Sequence, residues 1–85
     1  MMSPKLPRIT SAVLLRALRR DGWQPARQSG SHMLLKYPTK PGYVIVPMHT
    51  NVTVKPKTLA SILKQAGLTV DDLLNYFDHE VRGRE

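Results

Sequence analysis

Apolar residues recur at helical spacing three times along the chain, and between the first and second of these stretches they alternate singly with polar ones. Val13, Leu14, Ala17 and Leu18 form one stripe, with Thr10 or Ser11 placed to cap it and Gly22 placed to end it, which predicts a helix over 10–22. Arg16, Arg19 and Arg20 fall on or near its solvated side. Leu59, Ile62, Leu63 and Ala66 form the second stripe, opened by Pro56 and closed by Gly67, so a helix is expected over 56–67. Val70, Leu73, Leu74 and Phe77 form the third, over 69–80, where Thr69 and Asp72 have the spacing of a capping pair.

The middle of the chain reads as strands. Trp23–Gln28 makes a short first strand with Pro25 at an edge or a bulge, because proline cannot donate to a ladder. Trp23, the single tryptophan, is a core candidate. Ser29, Gly30 and Ser31 form a turn into a second strand, His32–Tyr37. There, alternation puts Met33, Leu35 and Tyr37 on the inward face and His32, Leu34 and Lys36 on the other. Pro38–Gly42 is a turn, and Tyr43–Val46 is the third strand, with Val44 and Val46 inward and Pro47 as its end. In the connection from Met48 to Lys55, Val52 and Val54 can add a few extended residues, while residues 1–8 read as a loosely held arm.

The expected fold is a single α+β domain over residues 1–85: one helix, an antiparallel sheet within 23–48, then two helices. Helices should cover one face of the sheet and leave the other largely open.

Charge adds a partner class. The net charge of +7 is unevenly spread: residues 1–67 carry eleven Lys and Arg against the lone acid Asp21, a net +10, whereas residues 68–85 carry a net −3. A basic body of this kind attracts a polyanion or an acidic protein surface. The absence of cysteine excludes disulfides and thiolate zinc sites. No apolar run approaches the roughly 20 residues of a membrane span, and the N-terminus lacks the apolar stretch of a signal peptide. A cytoplasmic protein with no membrane partner is the expectation.

The histidines His32, His49 and His79 are widely spaced and no acid lies between 22 and 70, a pattern that gives a metal centre little support. Phosphate-loop and dinucleotide motifs are missing as well. Metal-free RNA cleavage is better supplied. It needs a base for the ribose 2′-hydroxyl proton, positive charge for the phosphorane and a proton for the leaving oxygen. Histidine, with a reference pKa near 6.5, exchanges protons near neutrality. His32 is thus the candidate base, with Lys36 on the same strand face as a phosphate contact and His49 as an auxiliary that can donate a proton or bind RNA. The candidate RNA contacts are Arg27, Ser31, Lys36, Lys55 and Lys57. A non-catalytic RNA-binding module of the same fold is the alternative.

Several segments in order carry a resemblance: Gly22-Trp23, Gln28-Ser29-Gly30-Ser31-His32, Tyr37-Pro38-Thr39, Val44-Ile45-Val46-Pro47 followed by His49, and Lys55-Pro56-Lys57-Thr58-Leu59 running on to Leu68. Together they resemble the HicA-type (YcfA-like) mRNA interferase toxins of toxin–antitoxin systems. The resemblance implies a double-stranded-RNA-binding-domain-like fold, α-β-β-β-α, here with an additional C-terminal helix. It implies a metal-independent endoribonuclease without cofactors that cleaves mRNA, with His32 at the position of the catalytic histidine. It also implies a HicB-type antitoxin partner that blocks the active region, reaches operator DNA on the toxin's behalf, and offers an acidic surface to this basic chain. Met33, Leu34 and Leu35, where many relatives are polar or carry phenylalanine, and the linker Thr50–Val54, less basic than its typical counterpart, depart from the family pattern.

Overall fold

The computed structural model describes residues 6–49 and 52–82. The first helix, α1 (Ser11–Asp21), starts where Thr10 leaves the extended conformation and its Oγ1 accepts the Val13 N–H at 3.4 Å. It ends at Gly22, whose N–H donates to the Arg19 and Leu18 carbonyls and whose φ of +122° only glycine adopts at ease. Thr10 is therefore the cap, and Ser11 is the first helical residue, buried.

Three antiparallel strands follow in spatial order β1 (Gln24–Ser29), β2 (His32–Tyr37) and β3 (Lys40–Pro47). The first strand begins one residue later than expected, because Trp23 turns into the core immediately before it. Pro25 sits on this edge strand beside a bulge, between the pairs Pro25 to Leu35 and Arg27 to Leu34. The third strand is longer than expected. Only Pro38 and Thr39 form the hairpin turn, since Tyr37 already pairs with Lys40, and Pro41 and Gly42 are absorbed as an irregularity before Lys36 pairs with Tyr43. An edge strand tolerates Pro41 because its outer side needs no ladder donor.

Beyond β3, Thr53 makes an isolated bridge to Thr10 and the Val54 N–H donates to the Ile9 carbonyl at 2.7 Å. Val54 and Ile9 are buried and Leu6 packs against the core, while Val52 points outward. The second long helix, α2 (Pro56–Ala66), carries proline in its first turn and closes at Gly67 in the left-handed conformation, with the Leu68 N–H donating to the Leu63 carbonyl. The last helix, α3 (Val70–Arg82), opens on the capping pair anticipated from spacing. The Thr69 N–H donates to Asp72 Oδ2 at 2.9 Å, and the Asp72 N–H donates to Thr69 Oγ1 at 3.1 Å. Phe77 and His79 of this helix lie outside the residues whose side chains are described.

The core forms between one sheet face and the helices. Leu35, Val44 and Val46 supply the sheet side, Leu14 and Leu18 come from α1, Leu59, Ile62 and Leu63 from α2, and Leu73 from α3. Trp23 completes it, only 2 % exposed and packed edge-on against Tyr37 at 5.3 Å between ring centres. Among the described residues, no helix packs on the opposite sheet face.

Candidate nucleic-acid interface

Since Leu35, Val44 and Val46 point inward, pleating sends their neighbours to the uncovered face. The ladder registers then order that face into rows. Ser29, His32 and Pro47 form the first row, Arg27, Leu34 and Ile45 the second, and Gln24, Lys36 and Tyr43 the third. His32 is exposed at the start of β2, directly after the two-residue turn Gly30-Ser31, whose first residue has a φ of +57°. A hollow of about 220 Å³ opens beside it, lined by Arg27, Ser29, His32, Leu34 and Ile45.

Arg27 is the cation that the register sets beside His32. Its partner across the ladder is Leu34 and that of His32 is Ser29, so the two are diagonal neighbours, about 7–8 Å apart at the backbone. Lys36 shares the face, but four residues of strand put it about 13 Å further along. Of the two expected phosphate contacts, Arg27 is thus the one that the register sets beside His32, and Lys36 lies further along the same face. Composition showed both cations equally; the bulge-adjusted pairing of β1 distinguishes them.

His49 stands at the same end of the sheet. The Met48 N–H donates to the Ser31 carbonyl, and the His49 N–H donates to Ser11 Oγ at 3.5 Å. The Ser11 hydroxyl in turn donates to the Pro47 carbonyl. These bonds tie the exit of β3 to the start of α1, and His49 lines a second hollow of about 220 Å³ with Ser11, Pro47, Thr53, Lys55 and Thr58. The predicted contacts therefore separate: Arg27 goes with His32, Lys55 with His49, and Lys57 with a third hollow between β3 and α2. Ser31 is exposed in the turn preceding His32. Sequence reasoning missed Tyr43 and Ile45, which are 55 % and 39 % exposed on the open face. Their alternation with Val44 and Val46 was the signal available for finding them.

Among the described residues no three His, Asp or Glu side chains gather as a metal-ligand set, and no helix is long and apolar enough to cross a membrane. A basic chain whose three-stranded antiparallel sheet carries helices on one face and a histidine–arginine hollow on the other has the build of a double-stranded-RNA-binding-like domain. Residues 12–68 match the family model of the HicA toxin of bacterial toxin–antitoxin systems, more than half of the chain, and the chain belongs to that family. Membership supports a general role as an mRNA-interferase toxin with an antitoxin partner. No curated protein matches the chain as a relative.

Proposed function

We propose that this toxin is a metal-independent endoribonuclease in which His32 is the general base. The imidazole takes the proton of a ribose 2′-hydroxyl, the resulting oxyanion attacks the adjacent phosphorus, and the 5′-oxygen of the next nucleotide leaves with a proton. The products are a 2′,3′-cyclic phosphate and a 5′-hydroxyl. Arg27 faces the same hollow and stabilises the charge that grows on the non-bridging oxygens. His49 lines a neighbouring hollow at the same end of the sheet, and the leaving oxygen takes its proton from that imidazole, if the RNA bridges the two hollows, or from water. A HicB-type antitoxin with an acidic surface would cover the hollow, and operator DNA would be contacted through that antitoxin alone.

The observation that carries this reading is the exposed His32 in a hollow that also holds Arg27, on the helix-free face of a chain in the HicA family. The test is cleavage of a defined RNA in EDTA by the wild type and by His32→Ala, with circular dichroism establishing that both are folded. Scission by the wild type alone, ending in a cyclic phosphate and blocked by a 2′-deoxyribose at the cut, is expected. Cleavage of the deoxy substrate would refute internal attack, and folded protein that binds RNA without cutting it would establish the binding-module alternative.

A further inference from the structure

The hollow between β3 and α2 has a chemistry that the cleavage step leaves unused. It is a broad gutter of about 680 Å³, and its walls include Tyr43 and Ile45 from β3 and Lys57, Ser61 and Gln65 from α2. Lys57, Ser61 and Gln65 are spaced four residues apart, so they stand in one line along the exposed side of α2. Opposite them Tyr43 presents a large aromatic ring to solvent, 55 % exposed. Ile45 lines this gutter and also the hollow of His32, so the two spaces share a wall.

An exposed ring facing an amide and a hydroxyl, with an ammonium at one end of the line, matches what an unstacked base requires. Every base has a face to lay on an aromatic side chain. Its Watson–Crick or Hoogsteen edge takes hydrogen bonds from side chains such as glutamine and serine. Its phosphate needs a cation. Among the described residues, none that lines the gutter is acidic and would repel that phosphate. An apolar protein segment would leave Gln65, Ser61 and Lys57 desolvated without designated partners, a cost that a nucleotide avoids.

We infer that the gutter is a base-reading subsite for single-stranded RNA, in which one nucleotide flanking the scissile bond stacks on Tyr43, is read by Gln65 and Ser61, and is held through its phosphate by Lys57. The inference rests on the ribonuclease reading for its place in catalysis, and on its own geometry for binding. It makes Tyr43 and Gln65 determinants of where the toxin cuts. A base in a duplex is already stacked and paired, so the subsite selects single strands.

Two measurements separate this inference from the cleavage mechanism. The first is the affinity of His32→Ala for a fluorescein-labelled single-stranded RNA of random sequence, with and without Tyr43→Ala or Tyr43→Phe. Tyr43→Ala should weaken binding about tenfold while Tyr43→Phe retains it, and binding to an RNA duplex should change little. Because no cutting is involved, this holds even if the wild type proves to be no nuclease. The second is sequencing of the ends produced from a random RNA pool by the wild type and by Gln65→Ala, where the base preference at one flanking position should weaken. Unchanged single-strand affinity in Tyr43→Ala would overturn the inference. So would a loss confined to antitoxin binding, which would make the gutter a protein seat. An unaltered cleavage pattern in Gln65→Ala would overturn the reading role.

Discussion

The second strand has two ends that the chain uses in opposite ways. At one end His32 is exposed, follows a two-residue turn and faces an open hollow. At the other, Tyr37 packs edge-on against Trp23, donates its hydroxyl to the Asp21 carbonyl at 3.1 Å, and lies 4.5 Å beneath the Lys40 ammonium. The same hairpin thus offers an imidazole to solvent and anchors it five residues away on a packed aromatic junction. A site held from a distance can change its side chains without losing its frame. The junction has no such freedom, because its groups define one another's positions.

Substitutions at the two ends should therefore fail differently. His32→Ala is expected to lower RNA cleavage by about 10²–10⁴-fold, the usual worth of general acid–base catalysis. Urea unfolding should meanwhile shift by no more than about 0.5 kcal/mol, because the side chain is exposed. A variant that lost both activity and stability would break the contrast. Glycines sharpen it. A Cβ on Gly22 would sit 2.6 Å from the Tyr37 ring at a φ of +122°, whereas one on Gly30, at +57°, would meet nothing within 4 Å. Gly22→Ala should cost about 3 kcal/mol of stability through overpacking and backbone strain, and Gly30→Ala about 1 kcal/mol through backbone conformation alone. Denaturant titration of both variants measures the difference.

Within the open face, the register makes a finer distinction. Arg27→Ala should reduce kcat/KM for RNA about tenfold, through loss of a charge-assisted contact beside the reacting phosphate. Lys36→Ala, about 13 Å along the strand, should reduce it at most about threefold. Single-turnover cleavage at fixed ionic strength decides the point. Equal losses would mean that both cations act as a diffuse field and not as positioned groups.

Periodicity and punctuation carried most of the architecture. Pro56 and Gly67 bound α2 because each satisfies a terminus in its own way, and Thr69 with Asp72 formed a reciprocal cap from spacing alone. Alternation in His32–Tyr37 and Val44–Val46 sorted the two sheet faces as the structure has them. The extent of β3 was not legible, because Pro41 and Gly42 are ordinary loop residues until an edge strand and a bulge accommodate them. For the site, His32 was legible as a histidine entering a strand in a basic chain. The nearness of Arg27 to His32 was not, because it depends on one inserted residue between Pro25 and Arg27 that shifts the pairing of β1. Tyr76 was also invisible as a partner. Its contact with Asp21 spans 55 positions, and no local pattern encodes it.

That contact extends the junction to α3 and gives it an alkaline pH signature. The Tyr76 hydroxyl donates to Asp21 Oδ1 at 2.7 Å. Burial first, then the hydrogen bond to Asp21 and its negative charge, with Asp72 adding to them, push the Tyr76 phenol up from 10 to about 12. The folded state therefore holds this proton after the unfolded chain has begun to release it, and stability supplied by the contact is complete below pH 10. It is lost as pH rises from about 10 through about 12. Tyr76→Phe should cost about 1 kcal/mol at neutral pH, since Asp21 loses a donor. It should also flatten the alkaline decline of stability relative to the wild type, as urea midpoints across that range would show. A decline of equal slope in both proteins would mean that other tyrosines and lysines dominate alkaline unfolding and that α3 is held by Leu73 and its apolar neighbours alone.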